Sequence, residues 1–115
     1  SADTTFAQDD HRNYNRDGDA FNVGETFAGL PFELGVSLAD QLKPLIPEGM
    51  TMAQMAQRWV LDFPAVTTVI TGATRAEQVV WNTAVSQLPP LSPELHQTLA
   101  TFYQEKVTDH IRGPY

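Results

Sequence analysis

The sequence predicts an α/β chain that is mainly helical. A β-branched, uncharged run, VTTVIT at residues 66–71, is followed at once by Gly72 and a new helix start, which suits a strand buried on both faces. Met52, Met55, Ala56, Trp59, Val60 and Phe63 lie at i, i+3, i+4, i+7, i+8 and i+11, one apolar stripe along a helix. Prolines and capping residues mark where each helix begins and stops.

Residues 1–30 are dense in Asp, Asn, Gly and Thr and show neither the helical nor the strand period, so they read as an extended surface loop. A loop of that length is functional, disordered, or a sign that the chain began elsewhere. From Pro31 the texture changes. Leu34, Leu38, Leu42, Leu45 and Ile46 predict a helix over about 32–43, closed by Pro44 and by Pro47-Glu48-Gly49. Thr51 and Gln54 form a capping-box pattern ahead of the next helix, which Pro64 ends. After Gly72, Thr74 and Glu77 form a second box, with Thr74 at the N-cap, Arg75 at the first helical position and the helix running to about Ser86. Pro89-Pro90 breaks the chain, and Ser92 with Pro93 starts a last helix with an apolar face of Leu95, Leu99, Phe102 and Tyr103, ending near Val107. The tail TDHIRGPY reads as irregular, and no internal repeat is visible.

The 115 residues, 42% of them hydrophobic, support one modest core. The net charge of -7 argues against a nucleic-acid or anionic-membrane surface. Small anions recognised locally remain open. The absence of cysteine excludes disulfide scaffolds, thiolate metal sites and cysteine nucleophiles. His11, His96 and His110 show no zinc-ligand spacing. No stretch approaches the roughly 20 apolar residues of a membrane span, and the N-terminus is not a signal peptide, so a cytoplasmic protein is the expectation.

VITGATRAEQVVWN, residues 69–82, carries the main chemical signal. A glycine permits close backbone approach, first-turn N–H groups lack helical partners, and the helix dipole favours an anion there. Arg75 adds a guanidinium fork suited to phosphate. Gln78 and Asn82, at i+3 and i+7, share its face. Against this, Thr-capped helix starts are common and an exposed arginine is usually just solvated. NYNRDGDAFNVGE, residues 13–25, echoes the opening of a calcium loop through Asn13, Asn15, Asp17 and Gly18, but the twelfth position is Gly24 and Glu25 falls one place late. No nucleophile elbow, P-loop or dinucleotide fingerprint is present. Tyr14, Tyr103, Tyr115, Lys43 and Lys106 sit in no pattern that pairs them for acid-base work.

The run TMAQMAQRWVLDFPAVTTVITGATRAEQVVWNTAV resembles the C-terminal part of the aldo/keto reductases. The LPPLSPEL start of the last helix and the stretch DDHRNYNRDGDAF fit the same family, so the resemblance covers essentially the whole chain. It implies the C-terminal segment of a (β/α)₈ TIM barrel. Residues 1–30 would be the loop after the seventh strand, and 31–115 would carry the last strand and its helices. By the same resemblance Gly72, Ala73, Thr74 and Arg75 form the turn that holds the 2′-phosphate and ribose of NADP(H), with Gln78 and Asn82 beside the adenosine. Trp81 is a departure, standing where the family often has Glu; an aromatic stacks or packs where a carboxylate would hydrogen-bond.

The parent reaction implied is NADPH-dependent reduction of an aldehyde or ketone. The family's catalytic Asp, Tyr, Lys and His tetrad lies in earlier strands of a barrel of typically ~250 residues, so no catalytic residue maps here. The chain alone is expected to be inactive. A start in mid-loop without Met fits a remnant or an expressed segment. A lone buried strand leaves N–H and C=O groups unsatisfied, so the run 66–71 should pair with another copy, pack under its own helices, or be lost. The expected partners are NADP(H) and either the missing N-terminal barrel segment or a second copy, with no nucleic acid or membrane. The rival readings are a helical interaction module without cofactor and a pseudoenzyme that senses nucleotide.

Overall fold

The computed structural model describes residues 5–8, 10 and 29–111. Most of the expected loop at 1–30 and the last residues of the tail lie outside them, as do His11, Tyr14, Tyr115 and the calcium-like run at 13–25. The chain divides into two compact units, Ser1–Leu42 with Ala100–Tyr115, and Lys43–Leu99.

In the first unit, α1 spans Phe32–Leu42. Pro31 stands just outside it, its carbonyl accepting the Gly35 N–H at 3.0 Å. Phe32 and Leu38 are buried and Leu34 and Leu42 half-buried, so the leucine spacing marks the inward face. Phe6 meets the Phe32 ring edge-on, centroids 5.6 Å apart. A 3-10 turn, Lys43–Leu45, follows α1; Pro44 offers no N–H to continue the helix.

In the second unit, which that 3-10 turn opens, a tight turn follows in which Met50 N–H donates to the Pro47 carbonyl at 3.1 Å. Gly49 has φ +80° there, a conformation that costs any other L-residue. Next comes α2, Met52–Leu61, with its predicted capping box complete: Gln54 N–H donates to Thr51 Oγ1 at 3.2 Å and Thr51 N–H to Gln54 Oε1 at 2.9 Å.

The apolar stripe on α2 is only partly covered. Met55 is 3% exposed, but Trp59 and Phe63 remain at 37% and 43%, and Ala56 is exposed. Trp59, whose place on the stripe predicts a core position, instead sits edge-on to Phe63 with centroids 4.9 Å apart. Burial reaches across to polar positions, with Gln54, Gln57 and Arg58 all half-buried.

The expected strand at 66–71 does not form. The segment forms no ladder, and no strand occurs among the described residues. Ile70 is 95% exposed, while Val66, Val69 and Thr71 are half-buried. A β ladder needs a neighbour to accept and donate backbone hydrogen bonds; without one, β-branched sequence alone does not hold a strand.

α3 spans Ala76–Ala84 and tightens into a 3-10 turn, Val85–Gln87. α2 packs on both, around Met55, Val85 at 1% exposure and Leu91 at 5%. The cap differs from expectation by one residue: Arg75, not Thr74, is the extended N-cap. Gln78 thereby becomes the third helical residue, and its side chain reaches back over the helix start in place of Glu77.

α4, Pro93–Lys106, begins in the second unit and ends in the first. Ser92 Oγ accepts the Leu95 N–H at 3.2 Å, the expected cap. The Glu94 carboxylate accepts from its own backbone N–H and from the Ser92 hydroxyl, which holds its pKa below the ordinary value. Leu95, His96, Leu99, Phe102 and Tyr103 are half-buried and every other residue of α4 is exposed, so the predicted apolar face is the packed one.

Candidate functional site

The turn before α3 is tied down by a single side chain. Gln78 Oε1 accepts from Thr74 N–H at 2.7 Å, Thr74 Oγ1 at 3.2 Å and Arg75 N–H at 3.1 Å. These bonds satisfy two backbone donors that the helix cannot. They also spend the carbonyl of Gln78, leaving its Nε2 as the group able to act outward.

Beside this turn lies a cavity of about 590 Å³, lined by Thr51, Ala53, Gln54 and Gln57 of the α2 start and by Gly72, Gln78, Trp81 and Asn82. That volume falls within the range of small-molecule sites. Asn82 joins two others of these residues: its Oδ1 accepts from Gln57 Nε2 at 2.9 Å, and its Nδ2 lies 3.5 Å from the Gly72 carbonyl. A Cβ built on Gly72 meets nothing within 4 Å.

Of the six residues expected at a cofactor site, the fold brings Gly72, Gln78 and Asn82 to the lining of one cavity. Ala73, Thr74 and Arg75 are exposed on the adjoining turn and do not line the cavity. Glu77, in the first turn of α3, already complements the helix dipole and opposes any anion bound there. Arg75 is the neighbouring positive charge that offsets it.

Sequence reasoning did not single out Gln57, which joins Asn82 across 25 positions. Its signal was a row of polar residues, Thr51, Gln54 and Gln57, spaced three apart beside the apolar stripe. Trp81 was noted only as a departure; it lines the cavity at 58% exposure.

A second polar cluster binds α2 to α4. Asp62, with its side chain 7% exposed, accepts from Arg58 Nε at 2.8 Å, from Leu91 N–H at 2.9 Å, and lies 2.9 Å from His96 Nε2. Burial pushes the Asp62 pKa up, but the hydrogen bonds from His96, Leu91 and Arg58 together outweigh it and hold the carboxyl below its ordinary value. Phe63 covers the His96 ring edge-on at 5.9 Å. These contacts make the cluster a tie between elements.

Among the described residues no three His, Asp or Glu side chains gather as a metal-ligand group, and no helix is long and apolar enough to cross a membrane. No solved structure matches the chain significantly. Two curated relatives do, each over 67 residues that make up 56% of this chain and 20% of the relative. One is a "Probable voltage-gated potassium channel subunit beta" of Oryza sativa subsp. japonica, 40% identical. The other carries the same description in Arabidopsis thaliana, 42% identical. The aligned part therefore spans about a fifth of the length of these relatives. The model of the aldo/keto reductase family matches residues 4–104, nearly the whole sequence, and on that match the chain belongs to the aldo/keto reductase family.

Proposed function

We propose that this chain supplies the part of an aldo/keto reductase that binds the adenosine 2′-phosphate end of NADP(H). The observation that carries this reading is the meeting of Gly72, Gln78 and Asn82 in the lining of one cavity, next to the turn that bears Arg75. The donor set suits the group. Arg75 offers a guanidinium to the 2′-phosphate, Gln78 Nε2 and Asn82 offer amides to the ribose and base, and the open space at Gly72 lets a ligand reach the backbone. When bound, the cofactor supplies the hydride that reduces an aldehyde or ketone in the parent reaction. This chain's residues anchor its distant end, and the proton donor and its partners belong to earlier barrel strands.

The experiment is calorimetric titration of the 115-residue chain with adenosine 2′,5′-bisphosphate, repeated with Arg75→Glu. Saturable binding that weakens roughly 10-fold or more in the variant is expected for loss of a charge-assisted phosphate contact, while adenosine 5′-monophosphate is little affected. Equal affinity in both chains, or no binding in either, overturns the reading. The chain alone should bind without turnover; carbonyl-dependent NADPH oxidation by the pure chain would show that a catalytic set is present after all.

A further inference from the structure

The run that leads into Gly72 is held at few points. Val66 N–H donates to the Phe63 carbonyl at 2.9 Å, and among the described residues the backbone of 67–71 makes no hydrogen bond. The next tie along the chain is the Gly72 carbonyl, 3.5 Å from Asn82 Nδ2, ahead of the Thr74 and Arg75 amides that Gln78 secures. Ile70 is 95% exposed, and Val69 and Thr71 line a cavity of about 290 Å³ together with Gln57, Asn82 and Thr83, so packing does little to fix the run. Asn82 in turn meets Gln57 of α2, whose Nε2 donates to its Oδ1 at 2.9 Å.

A carboxamide has one accepting end and one donating end, and that of Asn82 suits these two neighbours in one orientation. Turned over, it would set Nδ2 against the Gln57 Nε2 donor and Oδ1 against the Gly72 carbonyl, a mismatch at both ends. We propose that Gln57 is a positioning residue: by fixing the carboxamide of Asn82 it holds the Gly72 carbonyl to α3, and so sets the turn from which Arg75 reaches an anion. A side chain at 57 that cannot donate frees Asn82 to rotate and removes the upstream tie of the turn. For its effect on affinity the inference rests on the nucleotide reading above.

The test is calorimetric titration of the full chain with adenosine 2′,5′-bisphosphate, at a temperature where each variant keeps the far-ultraviolet dichroism of wild type. NMR of the Asn82 side-chain amide, assigned by its absence in Asn82→Leu, reads the orientation directly. Gln57→Met should weaken binding roughly 10-fold and shift the Asn82 resonances. In the Asn82→Leu background it should change affinity by less than about 2-fold, because Gln57 acts only through Asn82. Should Gln57→Met fail to fold, Gln57→Glu, of the same length but without the donor, takes its place and must shift the same resonances. If the position-57 variant leaves the Asn82 resonances unmoved, or melts lower yet binds like wild type while Arg75→Glu does not, positioning by Gln57 is overturned and the phosphate reading stands. If wild type does not bind, both fall.

Discussion

Asp62 and His96, 34 positions apart, meet at 2.9 Å between Oδ2 and Nε2 and thereby fasten the end of α2 to the first turn of α4. The same carboxylate also accepts from Arg58 and from the Leu91 amide. Asp62→Ala leaves that amide without its acceptor and a largely buried Arg58 without its carboxylate, with only the Leu88 carbonyl still accepting from its guanidinium, and it should lower unfolding stability by roughly 3 kcal/mol. Chemical denaturation of the two chains measures it; a change under about 0.5 kcal/mol, the range of an ordinary surface substitution, would mean the cluster ties nothing together.

The same residue sets an acid limit. Because the folded state holds the Asp62 pKa below its ordinary value, its contribution is fully present above about pH 4 to 5 and is lost as pH falls through the depressed folded value. Melting temperatures of wild type and Asp62→Asn should therefore be well separated at pH 6 and converge toward pH 3. Curves that stay parallel across that range would contradict it.

Gly49, at φ +80°, closes the turn between Pro47 and Met50. A Cβ there meets nothing within 4 Å, so only the backbone resists substitution. Gly49→Ala should cost about 1 kcal/mol. Gly72, where no positive φ occurs and the space is equally open, is the control. Gly72→Ala should be stability-neutral by thermal melting.

The start of α3 makes a further distinction. Gln78 Oε1 is the shared acceptor for the turn, so Gln78→Ala should destabilise by about 1 kcal/mol. Thr74→Ala, which removes only one of the three donors, should cost less than half as much. Equal losses in the two variants, read by denaturant midpoint, would restore Thr74 as the cap.

What the sequence determined by itself was whatever a few neighbouring residues settle. The Thr51–Gln54 box, the Ser92 cap ahead of Pro93 and the face of α4 all depend on residues three or four apart, and all stand where their spacing put them. The cap of α3 slipped by one because Glu77 and Gln78 both suit the third helical position, and only Gln78 reaches the Thr74 and Arg75 amides. Tertiary structure alone decided the rest. Whether VTTVIT is a strand depends on a partner strand, and none occurs among the described residues. Whether Trp59 is core depends on which side of α2 its neighbours occupy. The joining of Gln57 to Asn82 and of Asp62 to His96 spans 25 and 34 positions, distances over which no local period carries information. The cavity that Gln57 and Asn82 line follows from the packing of α2 on α3, because hydrogen bonds between distant segments form only after packing has brought their elements together.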